Sequence, residues 1–491
     1  MKSLDLPPAG PKRAPVRSAL GVMGVTLGIA ACGWELATGS LLILLAGLAL
    51  LIAVMQFRRG VAGLETVMVT MPFIGLLSIA VYPRSFLGLA GRDILLVMPL
   101  LAYVCLRRLE DRTPLPSSFP WRWLFAFVAI VVAQVFNPDG GPILIRLIGA
   151  KTWLFYIPLM LCAYDYCSSR QRVHRLVKLV CLAGIPSIVI GLWEAFEIKS
   201  GHALQVYAYY GNAASAVSQS FAQLQVSGGG VIRRVPSTFT FGAQYYLFTL
   251  VMLTSSTVWL RLSAHRRERM FAAGLTLLVC LAAVTSGVRE ALFGVPAFFL
   301  FDFLFSGRRH VAALVKLVGS SVTGVVALAA VAGSTAVALI AHLGSSAIIE
   351  YNIVLVQGFS GAFRMTLFGL GVGVDTNAAR YALPNHSAAQ TFFAQGFESW
   401  YVKTQLELGV IGLVIMACFL AAVVSRLRLV VRATSDPALA SAGAALLALV
   451  VSILVQNLKG QYLDLDPMSL FFWVAIGVIL RLPTLAAEHG Q

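Results

Sequence analysis

Charge is scarce in this chain. Asp, Glu, Lys and Arg make up only 12% of its 491 residues, while 58% are hydrophobic. Ordinary soluble domains carry about twice that share of charge, so a soluble fold is excluded. The alternating ~10-residue segments of an outer-membrane barrel are missing as well. There is no internal repeat and no soluble domain. No cleavable signal peptide is evident. The first sixteen residues are polar, with Pro, Lys and Arg, and the apolar run that begins near Ala19 lacks a small-residue cleavage site followed by a soluble domain. The seven cysteines form no Cys-x-x-Cys pair and fall in or beside apolar runs. They read as small buried hydrophobes.

What the chain has is apolar length. Its mean hydropathy is +0.83, and a helical span needs ~20 apolar residues. About fourteen such runs can be read, near 18–34, 38–56, 63–82, 92–106, 121–136, 147–166, 175–196, 238–260, 270–287, 290–305, 311–342, 400–425, 438–457 and 467–481. The expectation is an all-α polytopic membrane protein with both termini cytoplasmic.

The few charges are sorted. With the N-terminus inside, every even-numbered span is followed by a basic loop: Arg58-Arg59, Arg107-Arg108 with Arg112, Arg170 to Arg175, Arg261 to Arg269, Arg308-Arg309, and Arg426 to Arg432. This is the positive-inside pattern. The outer segments hold as many acidic as basic residues, so the formal excess of +16 lies wholly inside. That excess is an orientation signal. No basic folded face suited to nucleic acid is present.

Two outer connections are long, about Lys199–Ser237 and Gly344–Glu398, and long loops between tight elements are usually functional. The first ends in Arg233-Arg234-Val-Pro-Ser-Thr-Phe. Guanidinium forks bind phosphate oxygens bidentately, so this pair suits a phosphate or diphosphate. Arg289, in Thr285-Ser286-Gly287-Val288-Arg289-Glu290, stands between two apolar runs on the side where cations are depleted. Such residues are functional candidates, although Arg289 could also snorkel or pair with Glu290. Arg364 precedes Gly369-x-Gly371-x-Gly373, which is not a dinucleotide fingerprint because it opens no Rossmann unit.

Glu398, just before a span, suits either a helix-start charge or a general base. His386 is the competing base. Asp464 and Asp466 could hold a metal; the favoured reading is a helix start, with Asp466 as N-cap ahead of Pro467. No convincing metal cluster emerges. Arg146 and Lys151 either add positive potential or anchor a span at the interface.

In their order along the chain, these pieces resemble the O-antigen ligase and polymerase superfamily of bacterial polysaccharide assembly. The matching marks are Arg233-Arg234 ahead of Ser-Thr-Phe, Thr-Ser-Gly-x-Arg289-x-Ala-Leu, Arg364 before the spaced glycines, and Glu407-Leu-Gly409-Val-Ile-Gly412. Ligase-like members usually carry His-Asn eleven residues before the first glycine of that last element. Here the register holds Glu398-Ser399, which favours a polymerase.

The resemblance implies a GT-C-like fold and an inverting, metal-independent glycosyl transfer without a cofactor. The transfer would occur at the outer, periplasmic face of the bacterial inner membrane. Donor and acceptor would be glycans on undecaprenyl diphosphate, and a chain-length regulator is a partner to look for. Arg289, with Arg233, Arg234 and Arg364, would neutralise the departing diphosphate, and Glu398 would take the proton from the attacking hydroxyl. Trp400, Tyr401, Tyr207, Tyr209 and Tyr210 could stack on sugars, but the membrane-interface belt is the favoured role for them. The alternatives are a ligase that moves finished polymer to lipid A core and, from another class, a transporter or flippase. A transporter is expected to show repeats and helices broken at mid-membrane.

Overall fold

A computed structural model describes residues 41–80, 91–211, 223–226, 230–306, 356–376, 379 and 399–488. The apolar runs 18–34 and 311–342, as well as Glu398 and His386, lie outside the described residues. The chain divides into two compact units, one of Met1–Val67 with Leu89–Thr113 and one of Met68–Gly88 with Pro114–Gln491.

The first unit contains α1 (Leu41–Arg59), most of α2 (Gly63–Thr70), a π-helical turn Asp93–Val97 and α4 (Met98–Glu110); α3 (Ile74–Ala80) belongs to the second. The apolar runs expected at 38–56 and 63–82 join here into one helical stretch. It is interrupted at Gly60 (φ +61°) and eased by 3₁₀ turns. Arg92 and Asp93 are both buried and paired with each other at 2.5 Å, as a charge taken out of water requires.

The second unit continues with α5 (Trp121–Val135), α6 (Ile143–Leu154), α7 (Leu159–Tyr166), α8 (Arg170–Lys199), the short α9 (Ala203–Ala208), an antiparallel hairpin of β1 (Gln223–Val226) and β2 (Gly230–Arg233), α10 (Gly242–Leu262), α11 (Arg266–Thr285), α12 (Ala291–Phe305), α13 (Gly358–Met365), α14 (Trp400–Ala433), α15 (Pro437–Gln456) and α16 (Met468–Glu488). The all-α expectation holds for the architecture, and the short hairpin is confined to the first long loop.

Among the described residues, seven helices are long and apolar enough to cross a membrane. The chain is a polytopic helical membrane protein. Helix ends run past the apolar stretches because charged residues continue them, as at Arg426 to Arg432 of α14 and Arg481 of α16.

Helix α10 is the centre of the bundle. It packs on α8, α11, α15 and α16 and is buried along nearly its whole length. Its hydroxyls explain its low apolarity. Thr249, Thr254, Ser256 and Thr257 each donate to a carbonyl three or four residues earlier, which satisfies them without a partner helix.

The connectivity of this unit places the basic loops at one end. Arg170, Arg261, Arg266 and Arg432 sit where α8, α10, α11 and α14 begin or finish. The opposite end gathers Glu194, Ser237, Ser286, Glu290, Trp400 and Gln456, which are joined by the contacts described next.

Candidate functional site

The Arg233–Arg234 segment and the Arg289 segment meet. Val235 N donates to Ser286 O at 2.9 Å, and a methyl group at Gly287 would lie 2.6 Å from Arg233 O. Gly287 has φ +73°, a left-handed backbone that lets the chain turn sharply under that strand end. The turn leads through Arg289, whose side chain is largely buried, into α12.

Behind it, a buried network holds the same strand end. Glu194 accepts from Ser237 N and from the Tyr210 hydroxyl, each at 2.7 Å. The Ser237 hydroxyl donates to Ser187 O at 2.6 Å, and Thr238 donates to Pro72 O. Ser237 sits at φ +53°, strained for a non-glycine residue, and these bonds hold it there. The Ser-Thr of the sequence motif therefore fastens the arginines' segment to α8. Tyr207 donates to Arg234 O at 3.3 Å. Burial pushes its phenol up to about 12, so it remains a neutral donor at physiological pH.

Arg289 and Glu290 face a lysine that the sequence reading passed over. Glu290 Oε1 lies 3.6 Å from Arg289 Nε and 3.8 Å from Lys459 Nζ. Tyr246 reaches over from α10, its hydroxyl 3.0 Å from Glu290 O and 2.7 Å from Gln456 Oε1. Lys459 follows the end of α15 in a turn tied to α14. Trp400 N bonds to both Asn457 O and Gly460 O at 3.1 Å, while Asn457 Oδ1 accepts from Tyr462 N and Leu463 N.

Beyond that turn is a second group of charges. Lys403, fully buried, pairs with Asp464, whose other oxygen accepts from Trp400 Nε1. Glu407 accepts from Trp153 Nε1 at 2.7 Å and from Asp375 N at 2.9 Å, and Gln461 donates to Asp375 Oδ2 at 2.6 Å. Asp464 is thus a lysine partner, which does not fit the metal role considered for it. Asp466 stays at the start of α16, within 3.5 Å of the Ser469 hydroxyl.

The two glycine motifs prove to be one construction. α14 is broken at Gly409 (φ +74°, ψ −179°), a region open essentially to glycine alone. The segment carrying Gly369, Gly371 and Gly373, all at positive φ, runs across the break. Leu370 N and Gly371 N bond to Leu406 O and Glu407 O, and Val410 N bonds to Leu367 O. The carbonyls and amide freed by the break are satisfied in this way, as buried backbone groups must be. A small apolar cluster of Ala362, Val374, Val402 and Leu406 seats α13 on the same helix.

Other candidates fall elsewhere. Arg364 is exposed on α13, and no described ion pair or hydrogen bond joins it to Arg289. Arg146 donates to Val135 O and Asn137 O, so it caps the carboxyl end of α5. Lys151 lies over the Phe155 and Tyr156 rings at 5.6 and 5.9 Å. Trp400, Tyr207 and Tyr210 are buried within the protein, which does not fit the lipid-facing belt, while Tyr401 is half-buried and donates to Leu454 O. Only Tyr209 of that aromatic set is exposed. A cavity lined by Phe127, Trp153, Trp400, Phe419, Trp473 and Asp464 encloses about 30 Å³, room for a water or two and not for a sugar ring.

Lys403 and Lys459 were within reach of the argument that selected Arg289. The charge pattern of the sequence assigns all three to the same expected cation-poor side. Compared with known proteins, the chain matches no family model and no curated protein.

Proposed function

We propose that this chain is a lipid-diphosphate-dependent glycosyltransferase of polysaccharide assembly. In this reading it polymerises undecaprenyl-diphosphate-linked repeat units at the periplasmic face of the inner membrane. The supporting observation is the seating of the Arg233–Arg234 strand end on the Gly287 turn that presents Arg289 beside Lys459. The Arg233–Arg234 and Arg289 segments meet through their backbones, and Arg289 and Lys459 both lie near the Glu290 carboxylate, at the end of the bundle opposite its basic loops. An array of this kind suits a leaving diphosphate, whose charge grows as the anomeric bond breaks. The full reading has fourteen spans, two of them outside the described residues. Glu398 is the base, with His386 as the alternative; Ser399, next to Glu398, caps α14.

The broken helix α14 bears on the transporter reading. Val410–Ser425 carries no charge and at 1.5 Å per residue extends ~24 Å, close to the ~30 Å apolar layer. The break at Gly409 therefore falls near one edge of that layer, where an interfacial enzyme needs its site, and away from the midplane that transporters use. A ligase would share the same donor chemistry and differ in its acceptor. The discriminating experiment is complementation by Arg289→Ala and Arg289→Lys in a strain lacking the protein. Both variants are expected to insert normally and make no polymer, and a fully active Lys variant would refute a bidentate phosphate role.

A further inference from the structure

Ser237, three residues after Arg234, is held by every polar group it has. Its N–H donates to Glu194 Oε2 at 2.7 Å, its hydroxyl donates to Ser187 O at 2.6 Å, and its carbonyl oxygen lies 2.7 Å from the Tyr210 hydroxyl. That same phenol oxygen lies 2.7 Å from Glu194 Oε1. Both oxygen–oxygen separations are ordinary O–H···O bond lengths, so each needs a proton. The phenol supplies one and the peptide carbonyl none. If Tyr210 donates to an ionised Glu194, Ser237 O faces the phenol oxygen with no proton between them. If it donates to Ser237 O, the carboxylate is left in that position. The second proton can come only from the carboxyl group of Glu194.

The surroundings suit a protonated acid. Glu194 is buried, and among the described residues no cation pairs with it, Arg233 and Arg234 included. The titratable side chains that face it are phenols. Tyr207 and Tyr210 come from the region of α9, and Tyr245 comes from α10, its hydroxyl set against Gly191 one helical turn before Glu194. Residues 68–80, joined to Thr238 through Pro72 O, hold no charged side chain. Further along α8, Glu197 pairs instead with His202 at 2.8 Å. A carboxylate buried without a cation is costly. A carboxylic acid offers one donor and one acceptor, which matches the two contacts here.

We infer, on the reading above, that Glu194 is the positioning residue of the Arg233–Arg234 strand end and works as a neutral carboxylic acid. Its carboxyl donates to the Tyr210 oxygen, Tyr210 donates to Ser237 O, and Ser237 N–H donates back to the carboxyl. This closed ring of three bonds fixes Ser237 at its φ of +53°. A neutral acid places the arginines without adding a negative charge that would compete with a diphosphate for them. Ionising Glu194 opens the ring at Ser237 O and loosens the strand end.

Glutamine fits the same ring, its amide N–H donating to Tyr210 and its oxygen accepting from Ser237 N. Glu194→Gln is therefore expected to melt with the wild type and to keep polymer formation. The direct measurement is the infrared difference spectrum of the full chain in lipid discs at neutral pH, wild type minus Glu194→Gln, in H2O and in D2O. Expected is the carbonyl stretch of a protonated carboxyl group, shifted down in D2O. A difference confined to carboxylate stretches overturns the proposal, as does a Glu194→Gln variant that fails to fold. Tyr210→Phe opens the ring and is expected to bind inorganic pyrophosphate about tenfold more weakly, the loss of roughly one buried hydrogen bond's worth of placement. Unchanged affinity in that folded variant overturns the positioning role. The spectrum needs no glycan, so failures separate. If the protonated band is present but lipid-linked glycans are unaffected by loss of the protein, glycosyl transfer falls and the neutral acid stands. If the glycans respond to Arg289 while the spectrum shows a carboxylate, this inference falls alone.

Discussion

Replacing Gly409 with alanine is expected to be among the most damaging single changes in the molecule. A Cβ there would lie 2.5 Å from Phe368 C and 2.6 Å from Leu367 O. These are backbone atoms of a segment held by three hydrogen bonds to α14, so neither side can yield cheaply. The conformation itself, φ +74° and ψ −179°, costs a non-glycine residue about 1–3 kcal/mol. Moving the crossing segment away strands the Leu406 and Glu407 carbonyls at membrane depth, at roughly 1–3 kcal/mol for each buried group left unsatisfied. Together about 3–9 kcal/mol is at stake, against a typical total stability of about 5–15 kcal/mol. The control is Gly274→Ala in α11, where a Cβ meets nothing within 4 Å. That change is expected to be neutral or to stabilise by up to about 1 kcal/mol, from helix propensity alone. Thermal unfolding of the purified protein in detergent measures both. If Gly409→Ala melts with the wild type, the interlocked break is not what holds this end of the bundle together.

The buried Lys403–Asp464 pair is expected to lose about 3–5 kcal/mol when either partner alone is made apolar, because the remaining charge stays buried. Lys403→Met with Asp464→Leu should cost much less than the sum of the singles, and a double-mutant cycle on melting curves that comes out additive would refute the coupling. Cys167 gives a chemical test of burial. Desolvation pushes its thiol up to about 12, against the opposing pull of Arg172 and Arg481. The reactive thiolate is therefore almost absent below pH 9, and a variant keeping only Cys167 should resist maleimide at pH 7.5 until it is denatured. Rapid labelling of the folded protein would contradict that burial.

The sequence made part of this structure legible, for identifiable reasons. Charge sorting works because a span's ends are read one at a time, and in the second unit the basic loops do gather at one end. A joint role for Arg233, Arg234 and Arg289 is implied by the family resemblance alone; the structure adds a backbone contact between their segments at Gly287. The roles of Ser237 and Thr238 are hidden in the sequence because they depend on Glu194, Ser187 and Pro72, all more than forty residues earlier. Asp464 looked like a metal ligand or a helix start. Its actual partner, Lys403, stands in an apolar run where a lone cation draws little notice. The spaced glycines and the Glu-Leu-Gly element were seen as separate motifs, since nothing local says that one crosses the broken backbone of the other. Arg146 was left undecided because its partners, the last carbonyls of α5, carry no side-chain signature at all. Span counting is blurred where one helical run turns at Gly60 and joins two expected spans.

The most direct test of glycan polymerisation is the size profile of undecaprenyl-diphosphate-linked glycans in a strain lacking this protein, with the Arg289→Lys variant supplied in trans. The account predicts that single repeat units accumulate in both cases and that wild-type protein restores long chains. Long lipid-linked polymer persisting in the absence of the protein would contradict polymerase action, and full restoration by Arg289→Lys would contradict the arginine's place in the chemistry.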